Sequence, residues 1–399
     1  MTGIFRLTYT AALSARIRSR ESCTYLYRVM KLMGWIAPKQ GIKRYMYLAW
    51  MCLVFLFPSL YLPFGLGLSL IYNFENFTPS VFLSVLQMAF NVSGATVKSY
   101  IVYVYMSRLN QTRSIMDALD ERLQSDSDRM KIHKAVASSN YLFMVYAVLY
   151  ISYTVSVFVV GLANRQPPWM IYNPFFDWRK GVASLWLHAM LEYILMVSMT
   201  ILVLIIDTYT LVFIINFRAH IDVLKDHIRN LRTDPLQTEA KNYDELVYNI
   251  IYHKLIVQCC NLMRPVMSQT IFIQFLLVGV VLGVTMINVL YFSGLFRAIS
   301  SILFVTALLF ETFPFCYLCD QLVNDCYELS NLLGESHWID AEPKYKSTLK
   351  FFMHNLQQPI IFTAGGIFLI SLNSNIQVAK FAFSVMTIVQ QMNLADRFK

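Results

Sequence analysis

QQPIIFTAGGIFLISLNSNIQVAKFAFSVMTIVQQM, residues 357–392, is the stretch on which the reading of this chain turns. It is apolar enough to enter a membrane, yet Gln357-Gln358-Pro359 interrupts it and Gly365-Gly366 loosens it again. Beyond the glycines, Asn373, Gln377, Lys380, Ser384, Thr387 and Gln391 recur three or four residues apart, so they share one face of a helix. Ile376, Val378, Phe381, Phe383, Val385, Met386 and Val389 make up the rest. Polar and ionisable groups at membrane depth face a bundle interior or a water-filled path. Two readings follow: a helix lining an ion pathway, or a helix in a bundle core whose amides bond to neighbouring helices.

The rest of the chain puts that helix in a polytopic, all-α membrane protein. Of 399 residues, 57% are hydrophobic and 14% charged, against ~25% charged in a soluble domain. About 20 apolar residues cross a bilayer. Seven segments qualify: Tyr45–Ile71, Val81–Met106, Ser138–Ala163, Val182–Phe217, Met267–Phe296, Ile299–Cys319 and Phe351–Met392. The first apolar stretch, Tyr45 to Phe74, is too long for a signal-peptide core and follows a basic leader, so it is expected to act as an uncleaved anchor.

The net charge of +9 sits on residues flanking the spans. It therefore reads as a topology signal and not as a nucleic-acid surface. With the N-terminus in the cytoplasm, the inside segments hold 25 Lys and Arg residues and the outside segments 6. The N-terminus is expected inside and, after seven crossings, the C-terminus outside. That orientation is the reverse of a G-protein-coupled receptor. The expected organisation is a cytoplasmic segment over 1–44, a six-helix ligand-binding bundle over 45–319, a cytoplasmic anchor region over 320–356, and a seventh, pore-lining helix with a short tail over 357–399. Helical periodicity over Arg218–Leu231, Glu239–Met263, Gln321–Leu333 and Tyr345–Leu356 predicts cytoplasmic stalks.

None of the seven cysteines falls in a predicted outside loop, so no extracellular disulfide is expected. Cys316 and Cys319 have zinc-like spacing but lack a second pair. Cys259-Cys260, at a membrane edge, is a candidate for palmitoylation. No metal, cofactor or catalytic constellation is expected. Asn76-Phe77-Thr78 is a glycosylation sequon in the first outside loop. The second outside loop, Asn164 to Gly181, carries Trp169, Tyr172, Phe175, Phe176 and Trp178, and reads as a lid or as packing at the membrane interface.

Lys98, Glu192, Asp207, Glu311 and Lys380 are the intramembrane charges, each a site candidate by default. Lys98, Asp207 and Glu311 also read as snorkelling or structural partners, Glu192 as polarising a binding cavity or bonding to a neighbouring Tyr or Ser, and Lys380, on the polar stripe, as the best functional candidate. Aromatic and sulfur side chains crowd the outer halves of several spans: Met88, Asn91 and Val92; Tyr146, Tyr150 and Tyr153; Trp186, Met190 and Tyr193; and Phe304. They suit a pocket for a small, weakly polar, volatile ligand, or simply a packed membrane core.

In its C-terminal third the chain resembles the insect odorant receptors. The resemblance rests on Trp338, Tyr345-Lys346 and Leu349, then Gln357-Gln358-Pro359-Ile360, Thr363-Ala364-Gly365-Gly366-Ile367-Phe368, Ile370-Ser371-Leu372 and Lys380-Phe381-Ala382-Phe383-Ser384. Length, seven spans and inverted topology extend it over essentially the whole chain. It implies an odorant-tuning subunit, distinct from the shared co-receptor, in a tetrameric, odorant-gated, non-selective cation channel. The setting implied is the plasma membrane, in the dendrites of olfactory sensory neurons. The partners implied are the co-receptor, a small volatile odorant and the lipid bilayer. Seventh-span helices would line the pore through Gln377, Lys380 and Ser384, and Ile388, Gln391 and Met392 would form the outer gate. The alternatives are a gustatory-type homotetrameric channel and an ion-coupled transporter using Glu192, Asp207 and Lys380.

Overall fold

The computed structural model describes residues 6–36, 38, 41–175, 177–291 and 295–391. After a helical turn at Ser19–Cys23 come α1 (Thr24–Leu32), α2 (Ile42–Met51), α3 (Phe57–Tyr72), α4 (Pro79–Val104), α5 (Met106–Asp120), α6 (Asp126–Ala163), α7 (Val182–Arg229), α8 (Glu239–Tyr291), α9 (Leu295–Glu335) and α10 (Pro343–Leu356). A two-stranded hairpin, β1 (Thr363–Ala364) with β2 (Phe368–Leu369), precedes α11 (Leu372–Gln391).

Among the described residues, six helices are long and apolar enough to cross a membrane: Ile42–Tyr72, α4, α6, α7, α8 and α9 from Ile299. The first is continuous through a π-turn at Cys52–Leu56. That turn is placed just before Pro58, whose missing N–H would otherwise leave a carbonyl of an α-helical ladder without its donor. Four of the sequence-derived spans prove to be parts of much longer helices; α7 has 48 residues and α8 has 53. The surplus forms a stalk end, where ion pairs join α7 to α9 (Arg218–Asp325, 2.6 Å; Arg229–Glu328, 2.8 Å) and α6 to α7 (Lys131–Asp226, 2.6 Å). The fifth span is expected from the sequence to reach Phe296; the described part of α8 runs to Tyr291, and Phe296 lies in α9.

The seventh segment needs a larger correction. Phe351 to Leu356 belongs to α10, and Gly365 and Gly366 do not loosen a helix. Both have positive φ, 61° and 74°, and turn the chain in the β1–β2 hairpin, a conformation that glycine adopts without steric cost. The membrane-length helix is α11 alone, 20 residues or ~30 Å at 1.5 Å per residue, about the thickness of a hydrocarbon core.

The N-terminal segment is packed into the stalk end. Cys23, Leu26 and Met30 are buried. Ser19 gives its N–H and hydroxyl to Asp120 (2.7 and 2.6 Å), and its hydroxyl also lies 3.0 Å from His220 Nε2. Asn140 Nδ2 donates to Glu21 O at 3.0 Å. Cys259 and Cys260 are fully buried among these helices, which removes them from the reach of a lipidating enzyme.

Candidate functional site

At the opposite end, the segment between α6 and α7 folds back over the bundle. Tyr172 N donates to Gly65 O (3.1 Å), and Tyr61 Oη donates to Tyr172 O (2.8 Å). Gly161 lets the loop sit directly on α6, since a Cβ there would lie 2.6 Å from Pro168 Cα. Glu192 supplies the anchor from α7. Its carboxylate accepts from Trp169 N (2.9 Å) and Ile171 N (2.6 Å), with His188 Nε2 at 3.1 Å. This buried anion therefore fixes a loop instead of presenting charge to a ligand. Phe176 lies outside the described residues.

Under this loop is a cavity of about 110 Å³. The α4 wall is Val81, Ser84, Val85, Gln87 and Met88; α6 contributes Tyr153, Val157 and Val160; α9 contributes Ser300, Ser301 and Phe304; the loop closes it with Gln166 through Met170. Among the described residues, no side chain on the wall is Asp, Glu, Lys, Arg or His. Above it, a larger and more polar cavity of about 420 Å³ is lined by Asn73, Asn76, Asn173, Asp177, Arg179 and others, and shares Val81, Gln166 and Met170 with the first. Asn76 is exposed, in the helical turn Phe74–Asn76.

Of the sequence-derived ligand residues, Met88, Tyr153 and Phe304 meet on the cavity wall. Asn91 lies one turn deeper on α4 and lines a void of about 10 Å³ with Lys98, Gln274, Leu308 and Glu311. Val92 is buried. Tyr146 and Tyr150 lie off the cavity wall: Tyr146 donates to Phe310 O, and Tyr150 donates to Asp207 Oδ2 at 2.9 Å. Tyr193 packs on Phe158, ring centroids 4.6 Å apart. Trp186 and Met190 are 45% and 43% exposed, on the outward side of α7. Sequence reasoning read the loop over Asn164–Gly181 as a lid or as interface packing without putting residues 166–170 on a ligand wall, and it did not find the small polar positions Ser84, Ser300 and Ser301. The i, i+3, i+4, i+7 spacing of Val81, Ser84, Val85 and Met88 was the available signal.

Below the void is a polar layer. Lys98 Nζ pairs with Asp207 Oδ1 at 3.3 Å and donates to Gln274, whose amide in turn donates to Glu311. Three of the five intramembrane charges thus meet in one buried network, where partial pairing offsets desolvation.

Between cavity and α11 lies a compact apolar cluster. Val278, Val281, Phe304 and Leu308 are buried together, with Tyr153 packed on one side and Val378 on the other. One turn further along α9, Thr312 Oγ1 donates to Asn375 Oδ1 at 3.1 Å. The α11 helix can approach α8 closely because of Gly279 and Gly283; a Cβ on the first would meet Phe381 Cδ1 at 3.0 Å, and on the second Ala382 O at 3.4 Å.

That contact fixes which way α11 faces. Asn375, Ala382 and Met386 are buried against the bundle. Asn373, Gln377, Lys380, Ser384 and Gln391 are exposed and, at 3.6 residues per turn, lie on the opposite side of the helix. The apolar remainder divides: Val378 packs inward, while Ile376, Phe381, Phe383 and Ile388 are exposed. The Ser384 and Thr387 hydroxyls bond back to carbonyls of their own helix. Met392 lies outside the described residues.

Comparison with known proteins gives this arrangement a context. A family model described as 7tm Odorant receptor matches residues 78–383. The chain is similar to Odorant receptor 59b of Drosophila melanogaster, 52% identical over 99% of this chain and 100% of that one, and to Odorant receptor 42b of the same species, 45% identical over 99% of each. Its fold is similar to that of the insect olfactory receptor OR5 from Machilis hrabei, with a TM-score of 0.75 at 15% identity, covering 94% of this chain and 98% of that one. The same receptor solved in complex with eugenol gives a TM-score of 0.74.

Proposed function

The chain belongs to the insect odorant receptor family, and we propose that it is the odorant-binding subunit of a ligand-gated, non-selective cation channel formed with a co-receptor. The observation that carries this reading is the outward polar face of α11, opposite its packed side. Lipid cannot solvate that face. A ring of four such helices around water can, with the neighbouring subunits covering Ile376, Phe383 and Ile388. The topology that goes with it has seven crossings, the stalk end in the cytoplasm, and the loop end and C-terminus outside. The membrane is the plasma membrane of olfactory sensory dendrites. A glycan on Asn76 would stand on the outer rim.

The roofed cavity is the odorant site in this reading. A ligand shifts the closed–open equilibrium only by binding the open state better. A short route for that preference is supported by one apolar cluster: Tyr153 and Phe304 line the cavity, Phe304 is buried with Leu308, Val278 and Val281, and Val378 of the pore helix packs against that cluster. Outward movement of α11 would then draw apart the ring at Ile388, Gln391 and Met392 and wet it. The bound eugenol of the Machilis receptor is a precedent for a small organic ligand in this fold.

Whole-cell current from cells expressing this chain, with and without an insect co-receptor, tests the proposal. The expected result with small esters, alcohols and acids is an inward cation current that requires both chains and is altered by Gln391→Ala. Current from this chain alone would move the assignment to a homotetramer. Silence across the panel with both chains at the surface would overturn it.

A further inference from the structure

Two residues of the cavity wall carry a buried polar group with no partner among the described residues: Trp169 its indole Nε1–H and Ser300 its hydroxyl. Trp169 is 4% and Ser300 8% exposed. A buried donor left unmade is costly, so such a group in a native structure calls for an explanation. Packing alone would be served as well by Phe, which brings no N–H.

The indole is also held in place. Pro167 and Pro168 stiffen the approach to it, Glu192 clamps the backbone N–H of Trp169 itself and of Ile171, and Met170 between them has φ 53°, a strained value for a residue with a side chain. Clamping on both sides fixes the Trp169 backbone before any ligand arrives, which reduces the ordering cost of binding.

We infer that the Trp169 indole N–H is the hydrogen-bond donor by which this cavity selects its ligand, and that the ligand is a neutral molecule carrying an acceptor oxygen, such as the carbonyl of a small ester, ketone or aldehyde. Indole can only donate, so the complementary atom is an acceptor. Among the described residues the wall carries no charged side chain, so none of them compensates the desolvation of an ammonium or a carboxylate. A hydrocarbon of the same shape leaves the donor unpaired, and a site built around a hydrogen bond rejects the analogue that lacks it. Ser300 adds a second hydroxyl donor to the same wall. The inference rests on reading this cavity as the odorant site.

The test uses a panel of small esters and ketones, each paired with the alkene in which C=CH₂ replaces C=O; pentan-2-one and 2-methylpent-1-ene are the simplest pair. In cells expressing the chain with a co-receptor, the carbonyl member is expected to open the wild-type channel at a concentration about tenfold lower than its alkene, or less. Trp169→Phe is expected to erase that gap by weakening the carbonyl compound alone. Equal potency of the two members in wild type overturns the inference, and so does an equal shift of both in Trp169→Phe. Thermal stabilisation of the purified chain by the same pairs reads binding without gating. Carbonyl-selective stabilisation in a protein that passes no current would sink the channel reading and keep the donor, whereas current without carbonyl preference would do the reverse. Should Trp169→Phe fail to fold, the wild-type pairs still decide.

Discussion

At the residue scale, buried charge dominates the energetics. Lys98→Met leaves Asp207 and Glu311 without their cation and is expected to destabilise the protein by ~3–5 kcal/mol. Lys98→Met with Asp207→Leu should recover most of that loss, as detergent-solubilised thermal unfolding of the two variants would reveal; a double variant as unstable as the single one would mean that the 3.3 Å pair is not what holds this layer. Asp120, at the stalk end, offers a pH handle. Burial raises its pKa from 3.8 to about 6, against the pull of the two Ser19 hydrogen bonds. A raised carboxylate contributes stability that is complete below its unfolded value and is lost as pH rises through the folded one. Wild type should therefore gain on Asp120→Asn by about 1 kcal/mol between roughly pH 7.5 and pH 5.5, read as a rise in the Tm of wild type minus that of the variant. A fall in that signed difference on acidification would contradict this. The sequence marked Lys98, Asp207 and Glu311 as candidates for snorkelling or for structural partnership but not which of them pair, because residues 109 positions apart are joined only by the fold. It singled out Trp186 and Met190 on a helix apolar around most of its circumference, where phase cannot be read from periodicity. The loop over Asn164–Gly181 was legible as a lid or as packing, but not which of its residues meet the cavity, because a loop follows its anchors and the anchor, Glu192, gives no local sign of bonding to Trp169 and Ile171.

At the element scale, α11 is the part whose character was most legible and whose boundary was least. Its polar spacing is a local property, and the face it predicts is the one found exposed. Its beginning was misplaced because apolar residues run on from α10 through the hairpin, and hydropathy does not separate a strand pair from a helix of equal polarity. The positive φ of Gly365 and Gly366 is the feature that separates them. The α8–α11 contact depends on absent side chains. Gly279→Val places atoms where Phe381 and Val378 now lie, and overpacking of this kind costs ~1–3 kcal/mol. If α11 carries the gate, surface-expressed Gly279→Val should show a roughly tenfold shift in the odorant dose–response, about 1.4 kcal/mol in the gating equilibrium. An unchanged curve would remove this contact from the gating route.

For the whole molecule, a single chain is an unfinished object: α11 packs on α8 and α9 and leaves both a polar face and large apolar side chains uncovered. Around a common axis, Lys380 would place a positive charge beside passing cations. Lys380→Gln is accordingly expected to raise unitary conductance, up to severalfold at low ionic strength, where screening is weakest; single-channel recording showing no change at any salt would place Lys380 away from the path. The packed N-terminal segment has a consequence in time. Ser19 meets Asp120 after 101 further residues and His220 after 201. At ~5–20 residues per second of synthesis, the second partner emerges roughly 10–40 s after the first residues. The segment around Ser19 therefore cannot complete its docking until α7, the fourth of the long apolar helices, has been made. Its docking site is completed only when α7 has been made, so a fusion attached ahead of Ser19 is expected to be felt as a delay in assembly before it is felt as a loss of signal.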